Sequence, residues 1–310
     1  MDKLRELSEL VREIPDGATI GLGGFIITRC PMAFAAELIR QGKKDLVCYS
    51  IMGTMEADLL VGAGCVKEYS YAGGSLDRFG KLDRVNASIA NGHKPTHVKE
   101  YSALSLALMF QAGAMGAPFI PTKSLLGTDM LAQLLADGDD SVRMGKDPWT
   151  GEDWLYIKAC RPDYCVIHAN AVDETGNVII HGPVWDLEMA KASKKLIVTA
   201  ERLVSNEYVK AHPEEVKIPS AYTYAASIVP AGSYPTCIFG ERDYDAKALW
   251  HYSKVNQDQA LFDALLKEYI YGTRDHFEFI ERVGGLKRLS ELQVDTTKSY
   301  RLQDLTKPSV

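Results

Sequence analysis

Residues 16–31, DGATIGLGGFIITRCP, place a strand, a glycine break and a helix end to end. Thr19–Leu22 reads as a short buried strand, Gly23-Gly24-Phe25 interrupts it, and Pro31 opens a helical pattern carried by Met32, Phe34, Ala35, Leu38 and Ile39. A strand that ends in paired glycines before a helix constrains the fold to the α/β class. Ligands often sit there, because bare backbone N–H groups can approach an anion or a carbonyl oxygen. The spacing is not a dinucleotide fingerprint. After Gly21-x-Gly23 a third glycine is required at position 26, which is Ile26, and the helix starts too late. Taken alone, the turn is equally well a steric strand-to-helix connection.

Strand and helix signals alternate through most of the 310 residues. Strands are expected at 45–50, 66–71, 96–99, 156–159, 164–168, 178–180, 195–199 and 225–229, with helical patterns at 32–41, 55–62 and 81–91. This alternation predicts an open, mostly parallel sheet with helices on both faces. Residues 137–154, rich in Asp, Gly, Trp and Pro, read as an irregular excursion. Asp173-Glu174-Thr175-Gly176-Asn177 reads as a turn with Gly176 supplying the positive φ. Helical patterns at 244–253, 257–269 and 274–283 form a C-terminal segment, so the chain divides into an α/β domain over 1–240 and a helical extension over 241–310 packed on it.

A net charge of −6 without a Lys/Arg run argues against nucleic acid and acidic membrane surfaces as partners. The six cysteines are scattered with no CxxC pair and lie in apolar strand-like contexts, as in a reducing, cytoplasmic compartment. Leu4, Leu7, Leu10 and Val11 pattern an amphipathic helix at the start, with Asp2, Arg5, Glu6 and Arg12 on its wet side. Tyr101–Thr122 carries no formal charge, but Pro118, Pro121 and several polar residues rule against a continuous span of roughly 20 apolar residues. It reads as a buried helix over 103–114 followed by an extended segment. A helix without charge is either central to the core or covered by a partner chain.

The motifs in order carry a resemblance. Asp16-Gly17, Gly23-Gly24-Phe25 and Pro31 are followed by Pro118-Phe119-Ile120-Pro121-Thr122, by Ala169-x-x-x-Asp173-x-x-Gly176-Asn177, and by a tail ending Gly284-Gly285-Leu286-Lys287-Arg288-Leu289. Together they resemble the α chain of the two-subunit class I coenzyme A transferases, with length and tail most like the glutaconate type. The resemblance implies a β-subunit partner, an acyl-CoA and a carboxylic acid as substrates, and coenzyme A as substrate rather than bound cofactor. In that family a glutamate nucleophile lies on the β chain within a Glu-x-Gly-x-x-Gly-like motif. Glu174-Thr175-Gly176 is the nearest stretch here, and it has Ile179 where the next glycine belongs.

By that resemblance Gly23, Gly24 and Phe25 occupy the loop at the active-site edge, where backbone N–H groups would hold CoA or a developing oxyanion. Gly73-Gly74-Ser75-Leu76-Asp77-Arg78-Phe79 takes the place of the loop that meets the acyl group. Ser75 would bind a carboxylate or carbonyl, and Arg78 would clamp the distal carboxylate of a dicarboxylic acyl group or stand as a solvated charge. Arg29 is a second cationic candidate, with the same surface alternative. Glu100 ends a strand directly before the uncharged helix. It is either a cap favouring the positive end of that helix or, as in related steroid-ring hydrolases, the base that activates water. Hydrolase and non-catalytic scaffold readings therefore stay open beside the transferase. His168, Asp173 and His181 fit no metal-ligand spacing and read as core or loop residues.

Overall fold

In the computed structural model, which describes residues 3–294, the chain opens with α1 (Leu7–Arg12) and reaches the sheet at β1 (Thr19–Leu22). The helical pattern begins later than Leu4, because Leu4 makes a parallel bridge with Ala226 instead. Asp2 of that pattern lies outside the described residues. Three helix–strand units follow: α2 (Met32–Arg40), β2 (Leu46–Ser50), α3 (Met55–Gly62), β3 (Val66–Tyr71), α4 (Asp83–Ala90) and β4 (His97–Glu100). The uncharged helix α5 (Ala103–Met115) then leads into a small separate sheet.

That sheet corrects one expectation. Residues 137–154 are not irregular throughout. β5 (Phe119–Thr122), β6 (Val142–Lys146) and β7 (Asp153–Lys158) form an antiparallel three-stranded sheet in the order β5-β7-β6, with α6 (Asp129–Ala136) joining β5 to β6 along the chain. Asp147, Trp149 and Thr150 supply the turn from β6 to β7, with the Asp147 carboxylate accepting from the Trp149 and Thr150 N–H groups at 2.8 Å.

The chain re-enters the main sheet at β8 (Tyr164–Asp173), passes β9 (Val178–Ile179) and α7 (Leu187–Ala192), and returns as β10 (Lys195–Val204). After α8 (Asn206–Ala211) come β11 (Val216–Ile218) and β12 (Thr223–Ile228). The order β4-β3-β2-β1-β8-β10-β12 is parallel throughout, while β9 and β11 add an antiparallel ribbon beyond the end of β1. Every residue of β8 is buried, as a central parallel strand covered on both faces requires. Asp173 ends it in the expected turn: its carboxylate accepts from the Thr175 and Asn177 N–H groups at 3.0 and 2.7 Å, and Gly176 has φ +94°.

The last helices are α9 (Ala246–Val255), α10 (Gln259–Leu266), a π-helical turn over Lys267–Tyr271, α11 (His276–Arg282) and α12 (Gly285–Leu292). α9, α10 and the π-helical turn join the main core, since Leu249, Tyr252, Phe262 and Ile270 pack in one cluster with Phe34, Leu38 and Leu60, while Ile280 of α11 and Leu292 of α12 pack in a smaller cluster with Ala231 and Tyr234. Each such side chain, fully buried, contributes roughly 1.5–3 kcal/mol. Asp58 on α3 pins the joint. It accepts from the Arg84 and Val85 N–H groups at 3.0 Å each, from the Tyr252 hydroxyl at 2.8 Å and from Asn256 at 3.1 Å. Even with four donors, burial lifts its pKa to about 6. The remainder of the expected C-terminal extension, 295–310, lies outside the described residues. The six thiols are free, all but the half-buried Cys237 fully enclosed, and burial raises their pKa values. Among the described residues no helix is long and apolar enough to cross a membrane.

Candidate functional site

β1 pairs with β2 on one side and β8 on the other, so the strand order reverses direction at β1. A crevice opens at the carboxyl end of such a strand, between loops that leave in opposite directions. The Gly23-Gly24 turn sits there. Its glycines are required by close approach: a Cβ on Gly23 would lie 2.6 Å from Asp186 Oδ2 and 2.7 Å from Ile167 Cγ2, and Gly24 has φ +98°.

The expectation that bare N–H groups face a ligand at this turn is corrected. Gly23 N–H donates to the Val166 carbonyl at 2.8 Å, Gly24 N–H to Asp186 Oδ2 at 2.8 Å, and Phe25 N–H to the Thr28 carbonyl at 2.9 Å. All three donors are spent inside the chain. The loop is a floor, and what it presents is aromatic: Phe25 stacks on Trp185 with ring centroids 4.8 Å apart, and Trp185 is 53% exposed.

Arg29 is corrected too. It is not a free cation, being 1% exposed with φ 56°. Its Nη2 pairs with Asp186 Oδ1 at 3.1 Å, and its Nη1 donates to the His168 carbonyl at 3.1 Å. The ion pair ties the glycine loop to the segment before α7. Asp186 and Trp185 were missed in the sequence, because no spacing links position 186 to position 24.

The second loop lies beside the first. Gly53, after β2, bridges to Gly74, after β3, and Gly53 N–H donates to the Gly73 carbonyl at 3.1 Å. A Cβ on Gly74 would lie 2.5 Å from the Gly53 carbonyl oxygen. The buried Thr54 hydroxyl donates to the Ser75 carbonyl at 2.9 Å. Ser75 Oγ accepts from Asp77 N–H at 3.0 Å, which leaves the hydroxyl's own proton free to donate outward. Arg78 stands exposed three residues on.

Beneath both loops lies Glu56, 1% exposed, with Oε1 accepting from Thr54 N–H at 3.2 Å and Oε2 without a partner among the described residues. Burial pushes this carboxyl up to about 7. Thr54-x-Glu56 before a helix is a faint capping signal, two residues apart instead of the usual three.

Glu100 ends β4 on the same edge, exposed, and accepts from the Tyr71 hydroxyl at 2.9 Å. It does not cap α5. Ser102 does, accepting from Ser105 N–H at 3.0 Å. The uncharged helix is buried on one face only, with Leu104 58% and Met115 69% exposed on the other.

His168 is a core residue. Its ring lies 2.9 Å from Thr199 Oγ1 and 3.0 Å from Glu201 Oε1. Burial alone would raise the Glu201 carboxyl, but the hydrogen bond and charge of His168, with the charge of Arg242, hold it down at about 2. Among the described residues no group of three or more His, Cys, Asp or Glu side chains is placed to hold a metal.

Residues 5–225 match the Coenzyme A transferase family. Over 91% of its length the chain is 33% identical to the α subunit of the 3-oxoadipate CoA-transferase of Pseudomonas knackmussii, covering 99% of that protein. It is 30% identical, over 99% of each chain, to the α subunit of the glutaconate CoA-transferase of Acidaminococcus fermentans. The crystal structure of that glutaconate coenzyme A-transferase superposes with a TM-score of 0.90, at 28% identity, over 97% of this chain and 98% of the other. An uncharacterized protein of Archaeoglobus fulgidus is 32% identical over 94% of this chain, which spans 64% of that protein's length. More distant is the cholesterol ring-cleaving hydrolase IpdA subunit of Rhodococcus jostii, 27% identical over 94% of the chain and 98% of that protein. A glycine floor at the sheet's switch point, a second loop at its side and a match running from end to end make this chain a member of the coenzyme A transferase family, of its α-subunit type.

Proposed function

We propose that this chain is the α subunit of a two-subunit, cytoplasmic CoA-transferase and forms one wall of a site whose nucleophile comes from the β subunit. The observation that carries this reading is the placing of half-buried Ser75 and exposed Arg78 after the carboxyl end of β3, and of exposed Glu100 at the carboxyl end of β4, next to a glycine floor with its own N–H groups satisfied. Such an edge offers a hydroxyl donor, a cation and a carboxylate, and neither Ser75 nor Arg78 is hydrogen-bonded there to a histidine or carboxylate base.

In the proposed cycle a partner glutamate carboxylate attacks the acyl-CoA carbonyl. The C–S bond breaks, the CoA thiolate leaves, and a mixed anhydride forms. The thiolate attacks the glutamyl carbonyl, expelling the first carboxylate and leaving a glutamyl-CoA thioester. The acceptor carboxylate then runs these steps in reverse. Ser75 donates to the acyl carbonyl as negative charge gathers on it, a contact of the kind that lowers a barrier by about 3 kcal/mol. Arg78 holds a second carboxylate on a dicarboxylic acyl group. Phe25 and Trp185 give the acyl chain an apolar wall.

The test uses the complex co-expressed with its β subunit. Incubation with an acyl-CoA panel, borohydride reduction and peptide mass spectrometry are expected to find a reduced glutamyl residue on that partner. The second reading, a hydrolase, is favoured by one contact: the Tyr71 hydroxyl at 2.9 Å orients the Glu100 carboxylate. No modified glutamate, with free acid or a ring-opened product formed without acceptor and lost in Glu100→Gln, would replace the transferase by that hydrolase.

A further inference from the structure

The C-terminal helices do not close completely on α2 and α3. Between them lies a cleft of about 390 Å³, within the roughly 300–1,000 Å³ usual for small-ligand pockets. Close-packed interiors leave few voids larger than a water molecule. The cleft shares no residue with the glycine loop or with the Ser75–Arg78 loop.

Its body is apolar, formed by Met32 and Ala36 of α2, Leu59 of α3, Tyr252 of α9, Ile270 and Phe279. Its polar lining is biased toward one sign. Asp245 is the one carboxylate among the lining residues, and it is already neutralised: Arg288 Nε and Nη2 grip it at 2.7 Å each and the Tyr234 hydroxyl donates at 2.8 Å. Arg40 is likewise spent, on the Glu37 carboxylate of its own helix. Lys247 and Arg282 remain, both exposed. The Lys247 ammonium, within electrostatic reach of the Glu291 carboxylate, makes no hydrogen bond or ion pair among the described residues, and Arg282, within reach of Glu278, gives one Nη1 donor to the Glu268 carbonyl at 2.9 Å. In a chain of net charge −6, a cationic mouth on an apolar cleft is complementary to a molecule with a carbon chain and an anionic head.

We propose that this cleft binds a medium-chain aliphatic monocarboxylate, with the chain against Ala36, Leu59 and Phe279 and the carboxylate between Lys247 and Arg282. The carboxylate replaces its water with two cationic donors, while the methylenes fill space that the side chains leave open. The proposal stands apart from the transferase reading, since binding here needs neither CoA nor turnover.

The test is calorimetric titration of octanoate into the co-expressed heteromer without CoA. Saturable binding at one site per copy of this chain is expected, with octanol at least tenfold weaker. Ala248→Phe fills the cleft from α9 and is expected to weaken octanoate at least tenfold. The double variant Lys247→Glu/Arg282→Glu, confined to exposed side chains, is expected to do the same with its melting temperature unchanged. Absence of saturable binding overturns the proposal. So does equal affinity for octanol, which would leave an apolar cleft without anion selectivity. Wild-type affinity in the folded variants would overturn it too, placing the acid elsewhere, at the transferase's own acceptor site. Binding to the isolated chain that disappears in the heteromer would make the cleft a seat for the β subunit.

Discussion

The loops after β1 and β3 meet at one edge of the sheet, yet they are built in opposite ways. In the first, every N–H from Gly23 to Phe25 is bonded within the chain and a buried Arg29–Asp186 pair holds the turn to α7. In the second, the backbone is pinned at Gly53–Gly74 and Thr54–Ser75, while the Ser75 hydroxyl and Arg78 are left facing outward. The contrast separates a part that makes the crevice from a part that chooses what enters it. Mutations in the first should act on folding, and mutations in the second on substrate preference.

The sharpest way to break this contrast is Asp186→Ala. It leaves the Arg29 guanidinium buried without its counter-ion, a change that typically costs about 3–5 kcal/mol. Denaturant titration is expected to show that loss, and Arg29→Met combined with Asp186→Leu should recover much of it. A loss under about 1 kcal/mol in the single variant would mean that water reaches the pair and the floor is not closed.

Glu56→Gln ranks next, and its effect depends on pH. The folded carboxyl has a pKa of about 7 against an ordinary 4.5, so the folded chain holds this proton more tightly than the unfolded one. Its contribution is therefore most favourable below about pH 4.5 and is lost as pH rises toward 7. Glu56→Gln should match the wild type near about pH 4.5 and gain up to about 3 kcal/mol over it at about pH 8. A difference that does not vary with pH would show that the carboxyl is ionised and satisfied.

The second loop answers to kinetics. Ser75→Ala is expected to lower kcat/KM about a hundredfold, the loss of one transition-state donor worth about 3 kcal/mol, with no shift in melting temperature. Arg78→Ala should raise KM for dicarboxylic acyl-CoA substrates and leave monocarboxylic ones unchanged, and equal effects on both would remove its role as a clamp. The smallest expected change is in Glu100→Gln. Stability should stay within about 0.5 kcal/mol and CoA transfer within about threefold, because the transferase reading gives this side chain no chemical step.

The scaffold was legible in the sequence because it depends on local periodicity. The strand at 66–71 has the expected bounds, the apolar spacing read over 32–41 ends within one residue of α2, and Gly176 has the positive φ that its turn needs. The small sheet was legible only in part: the strand expected at 156–159 overlaps β7 and the extended segment after the uncharged helix holds β5, whereas β6 is largely exposed and lacks an apolar alternation strong enough to show. The site was half legible. Gly23 and Gly24 mark a place where backbone comes close, but glycine does not say what comes close to it. Asp186 does, from across the fold. Arg29 shows the same limit: an arginine after a glycine turn looks like a free cation until the partner that buries it is known. Glu100 misled in a milder way, since a carboxylate before a helix resembles a cap and Ser102 was the nearer one.

The enclosed sulfur atoms have a practical consequence. Cys30, Cys48 and Cys165 are sealed in the sheet and its flanking helices, and burial keeps them as thiols far above neutral pH. An alkylating reagent reacts with thiolate and so must wait until the structure around each sulfur parts. Labelling rates, followed residue by residue by mass, thus turn the native protein into its own stopwatch. Cys48 times the opening of the central strands, and Cys237, next to the glycine floor, times the crevice. If substrate, or docking of the β subunit, braces that edge, the Cys237 clock should slow while the Cys48 clock keeps its pace.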